Sequence, residues 1–316
     1  MNQPKEKISV IVPCYNEEES LPFFYKEVTE VLKGISNISY ELLFIDDGSK
    51  DHTMDILKVL AYEDNQCYYY SFSRNFGKEA AMLAGLRQAT GDYCVIIDAD
   101  LQHPPHLLKD MYQALKEENY DCCAGKRVSR KGENKLRSWL SVLFYRILQR
   151  FTKMDMSDGA GDFRMMKRKM VNAILQVGEY NRYLKGIFSY VGFETKWIDF
   201  HNVERVAGKT KWTFKNLFGY AFEGIISFST IPLQLSGLLA LFLCIGTALV
   251  GGFTIIDFFR TGILHKLLWV LTFVLGISAL QLLCIYILGQ YIAKDYLENK
   301  KRPIYIIKER SDTIEK

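Results

Sequence analysis

The sequence predicts an α/β protein: a mostly parallel sheet covered by helices, followed by a C-terminal part that spans a membrane. Three observations predict it. Short β-branched runs alternate with helically spaced apolar residues, polar clusters stand where those runs end, and two long C-terminal stretches carry no charged side chain.

The first strand is expected at 8–12, a β-branched run closed by Pro13. A helix follows over 18–32, a second apolar run at 40–45, and a turn at 46–50. The spacing of Met54, Leu57, Val59 and Leu60 predicts a helix over 53–62. A third strand lies at 68–72. A helix over 79–89 is stopped by Gly91, and a fourth strand at 93–97 runs into Asp98. Alternation of this kind places ligands at the carboxyl ends of the strands, which is where the polar clusters lie.

From 126 to 153 the composition turns basic, with Arg127, Arg130, Lys135, Arg137, Arg146 and Arg150 interleaved with Trp139, Phe144 and Tyr145. On a helix this is an amphipathic cationic element that can lie on an anionic membrane surface; a solvated basic face on a core-packed helix is the alternative. A second amphipathic segment, 212–230, leads into the first apolar stretch.

No Asp, Glu, Lys or Arg occurs between Glu223 and Asp257, or between Lys266 and Lys294. Spans are expected at 231–256 and 267–292, each long enough to cross about 30 Å of hydrocarbon. Buried core helices are the alternative. The short connector, 257–266, forces a hairpin, and Lys300, Lys301 and Arg302 mark the side of both its ends as cytoplasmic. The expected organisation is a cytosolic domain over 1–211, a transmembrane hairpin over 231–292 and a cytoplasmic tail over 293–316. Both termini of this multi-pass plasma-membrane protein then face the cytoplasm.

Composition narrows the class. Aromatic content of 14% with only 7 Pro excludes a disordered chain, and a net charge of +4 is too small to imply nucleic-acid binding. The 7 cysteines include no CxxC pair, so neither a zinc site nor a disulfide framework is expected, and free thiols suit the cytosol. The opening MNQPKEKISV has no apolar run of signal-peptide length. Glycines of the first span, Gly246, Gly251 and Gly252, permit helix association and hence a homo-oligomer.

Four clusters can carry chemistry: Pro13, Tyr15, Asn16 and Glu17; Asp46, Asp47, Gly48, Ser49 and Asp51; 74–78; and Asp98, Asp100 and Gln102. Alternate carboxylates in DADLQ, after a buried strand, can share a hard divalent cation that takes substrate phosphates as further ligands. Capping of the following helix is the alternative. Neither GxxxxGK[ST] nor GxGxxG occurs, which argues against an NTPase or a dinucleotide enzyme.

The ordered set VPCYNEEESLP (12–22), DDGSKDHT (46–53), SRNFGKEAAMLAGL (73–86), DADLQHPP (98–105), GDFRMMKR (161–168) and RVAGKTKW (205–212) resembles family 2 glycosyltransferases of the polyprenyl-phosphate branch. The two spans and the ending GQYIAKDYLENKKRPIYIIKE resemble its bactoprenol subgroup. The resemblance implies a GT-A-like, Rossmann-like catalytic domain. It also implies inverting, metal-dependent transfer of one sugar from a nucleotide sugar, UDP-glucose first and UDP-GlcNAc second, to polyprenyl phosphate.

It further implies that Pro13, Tyr15, Glu17, Asp46, Asp47, Lys78 and Asp98 bind the nucleotide sugar. Asp98, Asp100 and Gln102 would hold Mg²⁺ or Mn²⁺. Arg127, Arg137 and Ser141, with Arg205 and Lys211, would receive the acceptor phosphate; at i, i+4, Arg137 and Ser141 share one helix face. Asp100, Asp162 and Arg164 complete the catalytic set, with Asp162 and Arg164 positioning sugar or acceptor. His103 stands where many members have Asp, and is expected as a helix-entry residue beside Pro104 and Pro105. A processive polysaccharide synthase is disfavoured by the small number of spans and the lack of QxxRW. A non-catalytic sugar-nucleotide binder is disfavoured by the intact DADLQ.

Overall fold

The computed structural model describes residues 5–127, 160–180, 182–200, 259–260 and 267–311. They fall into two compact units, Met1–Leu217 with Pro303–Lys316, and Phe218–Arg302.

The first unit opens with the expected alternation: β1 (Glu6–Cys14), α1 (Leu21–Lys33), β2 (Ile38–Asp46), α2 (Thr53–Glu63), β3 (Cys67–Phe72), α3 (Lys78–Gln88), β4 (Tyr93–Ile96) and α4 (Leu107–Glu117). It continues with β5 (Cys122–Arg127), β6 (Ala160–Lys167), α5 (Arg168–Gln176), α6 (Leu184–Tyr190) and β7 (Thr195–Phe200), and closes with β8 (Ile307–Arg310). The eight strands form one sheet in the order β7-β5-β6-β4-β1-β2-β3-β8. β1 pairs in parallel with both β2 and β4, β2 with β3, and β5 with β7. β6 runs antiparallel to β4 and β5, and β8 antiparallel to β3.

Ile8, Val10, Ile11 and Val12 are all fully buried, as a central strand covered on both faces requires. Each such side chain contributes roughly 1.5–3 kcal/mol by leaving water. In α1, Leu21, Phe24, Val28 and Leu32 recur at helical spacing and face this core, and a proline in the first turn suits the helix start. The helix begins at Leu21 rather than 18 because 17–20 form a turn, in which the Ser20 and Leu21 amides donate to the Glu17 carbonyl. α3 is lined by small residues, and a Cβ on Gly85 would stand 2.2 Å from Ile11 Cγ2. Only glycine lets α3 press this closely on β1.

In the second unit, α7 (Leu267–Asn299) covers the second expected span and runs beyond it. Its part Gly276–Asn299, 24 residues with mean hydropathy 1.6, is the one helix among the described residues long and apolar enough to cross a membrane. Leu282, Ile285, Leu288 and Ile292 along it are exposed. At 33 residues it measures about 50 Å, more than a hydrocarbon core needs. The first expected span, the amphipathic segment at 212–230 and the basic segment from 128 onward lie outside the described residues. The stretch expected as a cytoplasmic tail holds the end of α7 and then β8, a strand of the large sheet. The described cysteines are free thiols, and Cys14, Cys67, Cys94, Cys122 and Cys123 are buried.

Candidate active site

The loops after β1, β2 and β3 are bound to one another by their own polar groups. The Asn16 amide donates to Ser49 Oγ at 2.9 Å, the Lys50 amide to Asn16 Oδ1 at 2.8 Å, and the Glu17 amide to Thr53 Oγ1 at 2.8 Å. Gly48 sits at φ +70°, where a Cβ would stand 2.7 Å from the Arg74 carbonyl carbon. Both the backbone conformation and the close approach demand glycine.

Asp46 and Asp47 are nearly inaccessible, at 2% and 4% exposure. Asp46 accepts from Ser71 Oγ at 2.7 Å and from the Ser49 amide at 3.0 Å. Asp47 accepts from the Phe76 amide at 2.6 Å and the Gly77 amide at 2.9 Å, which fixes the entry to α3. Burial pushes its carboxyl up to about 6 although those amides favour the charged form. Tyr15 is half-buried and, with Asp46, Gly48, Ser71 and Arg74, lines a cleft of ≈ 670 Å³. Pro13 lies in β1 opposite Ile45, and the Glu17 carboxylate accepts from Ser20 Oγ at 2.8 Å.

The second cluster forms around Lys78 at the start of α3. Its ammonium lies 2.7 Å from Asp98 Oδ1 and 2.8 Å from Asp162 Oδ2, so one cation joins the end of β4 to β6. Both carboxylates draw the Lys78 pKa upward against burial. Burial pushes the Asp162 carboxyl up, but the charges of Lys78 and Lys185 outweigh it and hold it well below the usual range. A carboxylate held this way is a poor proton acceptor. Its other oxygen, Oδ1, is buried without a hydrogen-bond partner.

Asp100 Oδ1 accepts from the Gln102 amide at 3.1 Å across Leu101, whose φ is +57°. Helix α4 starts only at Leu107, with His106 as its N-cap and no side-chain cap. Neither Asp98 nor Asp100 therefore caps it; Asp98 is held by Lys78 through both oxygens, and Asp100 by the Gln102 amide. Among the described residues no three His, Cys, Asp or Glu side chains make a self-contained metal cage. Two carboxylates and the Gln102 amide oxygen are a hard, oxygen-only donor set that fits Mg²⁺ or Mn²⁺ with coordination positions left for phosphate.

One residue differs from its sequence-based expectation. His103 is packed inside: its ring stacks on Phe163 at 5.0 Å and 20°, and meets Phe200 edge-on at 5.7 Å. Its Nδ1 lies 4.0 Å from Asp98 Oδ2, and burial lowers its pKa, favouring the neutral ring. No local pattern could reveal this, because its partners come from β6 and β7. Arg164, expected among the catalytic residues, is 4% exposed; it donates to the Gly161 carbonyl at 3.0 Å and lies 3.7 Å over the Phe188 ring. Alternation along β6 puts Asp162 and Arg164 on the face opposite Phe163.

Arg127 ends β5, opposite Phe200 of β7. Arg137, Ser141, Arg205 and Lys211 lie outside the described residues. The structure thus brings together Tyr15 with Asp46, and Lys78 with Asp98 and Asp162, along one edge of the sheet.

Residues 9–175 match the family described as glycosyl transferase family 2. The "Prophage bactoprenol glucosyl transferase homolog" of Escherichia coli (strain K12) is 39% identical over 307 residues, 96% of this chain and 98% of that protein. The "Bactoprenol glucosyl transferase" of Shigella phage SfV is 39% identical with the same coverage. Among solved structures, that of a mycobacterial protein superimposes with a TM-score of 0.50 at 18% identity, over 70% of this chain and 73% of the other, and so shares the fold.

Proposed function

The chain belongs to glycosyl transferase family 2, and on that premise we propose that it moves a single sugar from a nucleotide sugar to a polyprenyl phosphate at the cytoplasmic face of a membrane. UDP-glucose is the first donor of choice and UDP-GlcNAc the second. The observation that carries this reading is the Lys78–Asp98–Asp162 cluster next to a cleft lined by Tyr15 and Asp46. Such a site can hold a nucleoside at one end and the charge of a diphosphate at the other. The names of the two bactoprenol glucosyl transferase relatives point to the lipid acceptor.

The acceptor needs no strong base from the protein, since a phosphate monoester with a second pKa near 6 is mostly dianionic at neutral pH. One of its oxygens attacks the anomeric carbon in line, the bond to the donor phosphate breaks, and nucleoside diphosphate departs with inverted configuration at the sugar. Asp162, bound to Lys78, positions the sugar and takes no proton. Lys78 supplies positive charge beside the departing diphosphate. Asp98, Asp100 and Gln102 would hold a Mg²⁺ or Mn²⁺ ion, which supplies Lewis-acid neutralisation of that leaving group.

Arg127, Arg137 and Ser141, with Arg205 and Lys211, are assigned to the acceptor phosphate, and the hairpin 231–292 to the bilayer beside a catalytic domain of 1–211. The purified protein should be incubated with radiolabelled UDP- and GDP-sugars and undecaprenyl phosphate. One labelled lipid carrying a single sugar is expected. A long polymer would identify a synthase, and absence of any product with every donor would refute the proposal.

A further inference from the structure

β8 brings the chain back to the catalytic sheet after α7, and it does so at the mouth of the cleft. Because β8 runs antiparallel to β3, its first residue, Ile307, lies opposite Phe72 at the carboxyl end of β3, while Arg310 lies opposite Tyr70, further down. Lys308 and Glu309 consequently line the same cleft as Tyr15 and Asp46.

The segment is fastened along its length. The Ser73 amide donates to the Ile306 carbonyl at 3.0 Å, and Tyr305 stacks on Phe72 at 5.0 Å and 14°. Glu309 accepts from the Tyr69 hydroxyl at 3.1 Å and pairs with Lys58 at 2.8 Å. Glu309 is thus committed to holding the strand. Lys308, the exposed residue before it, points its chemistry at the cleft.

The strand order says which part of a donor lies there. The carboxylates suited to a metal and diphosphate follow β4, with Asp162 on β6, whereas the cleft opens at the ends of β1, β2, β3 and β8. A nucleotide sugar laid across the carboxyl edge with its diphosphate at β4 extends its nucleoside toward β3 and β8. An ammonium at that end donates hydrogen bonds only, so it favours the carbonyl oxygens of a base or the ribose oxygens.

We infer that Lys308, carried by the strand that follows the apolar helix, is a donor-binding residue that contacts the nucleoside of the nucleotide sugar. This rests on the cleft's assignment to that donor. The sheet edge formed by β8 is then part of the donor site, and the chain on either side of α7 contributes to one pocket.

The test is titration of the full-length protein in detergent with UDP and GDP by calorimetry, alongside thermal melts. Lys308→Ala should weaken binding of the preferred nucleotide about tenfold, as loss of one hydrogen bond from a charged donor does. Lys308→Arg should recover most of the affinity. Arg310→Ala, on the same strand but away from the mouth, should leave affinity unchanged, and all three should melt with the wild type. Wild-type affinity in a folded Lys308→Ala would overturn this inference alone. Failure of the wild type to bind either nucleotide would overturn the donor assignment and this inference with it. Equal weakening by Lys308→Ala and Arg310→Ala would show a general effect of the strand and likewise refute the contact.

Discussion

Replacing Lys78 with methionine keeps the length of the side chain and removes the charge that joins Asp98 to Asp162. In the wild type the ammonium is within 2.8 Å of both carboxylates, and its side chain is 37% exposed. Removing one partner of a buried pair costs about 3–5 kcal/mol; with a third of the lysine in water the appropriate figure is roughly 1–2 kcal/mol. The pH dependence identifies the cause. Asp162 now has a depressed pKa, so its stabilising contribution is present above the ordinary carboxylate range and is lost only in strong acid.

Without Lys78, burial acts with less opposition and the Asp162 pKa rises. Lys185 and Arg164 remain beside it and still favour the charged form, so the variant keeps only part of the stability that the wild-type Asp162 contributes above the ordinary carboxylate range. Melting curves of Lys78→Met should therefore lie several degrees below the wild type between pH 5 and pH 8 and approach it in acid, below the ordinary carboxylate range. Adding Asp162→Asn should close most of that gap without restoring sugar transfer. Coincident curves for Lys78→Met and wild type across the range would refute the electrostatic account of the cluster.

Four further outcomes follow from the site and the topology. Asp100→Asn should abolish turnover with Mg²⁺ or Mn²⁺ while melting like the wild type; retained transfer would remove Asp100 from the metal site. Arg137→Ala should raise the acceptor KM several-fold with nucleotide affinity kept, and weaker UDP binding at an unchanged acceptor KM would reverse the assignment. Asp47, whose pKa is raised by burial to about 6, should make the wild type less stable as pH rises from about 4 through 6. Asp47→Asn should lack that slope in melting experiments, and parallel curves would exclude Asp47 as the titrating group. Finally, Thr261→Cys, in a background without native thiols, should react with an impermeant maleimide in intact cells, while Asn2→Cys should react only after lysis; the opposite pattern would put the active site outside.

The first four strands were legible because each is a buried apolar run that ends in a polar cluster, and the spacing of Leu21, Phe24, Val28 and Leu32 marks α1 equally clearly. β6 gave no such signal. Asp162 and Arg164 stand at interior strand positions, paired with Lys78 and Phe188, so β6 lacks the continuous apolar run that marks β1 to β4. β8 reads as a charged end, IKER, and only its edge pairing with β3 makes it a strand. His103 shows the same limit from the other side. Its motif was visible, but the aromatic slot that takes it is assembled from β6 and β7.

The antiparallel edge has a consequence for how the enzyme is made. The Tyr69 amide donates to Ser311 Oγ, a partner 242 residues further along the chain. Until the ribosome has delivered that partner, β3 is an unprotected sheet edge of the kind that invites pairing with other chains. The cleft also lacks one wall. Nascent chains halted before β8 should therefore be sticky, with an incomplete cleft, until the apolar helix and the strand after it have been synthesised.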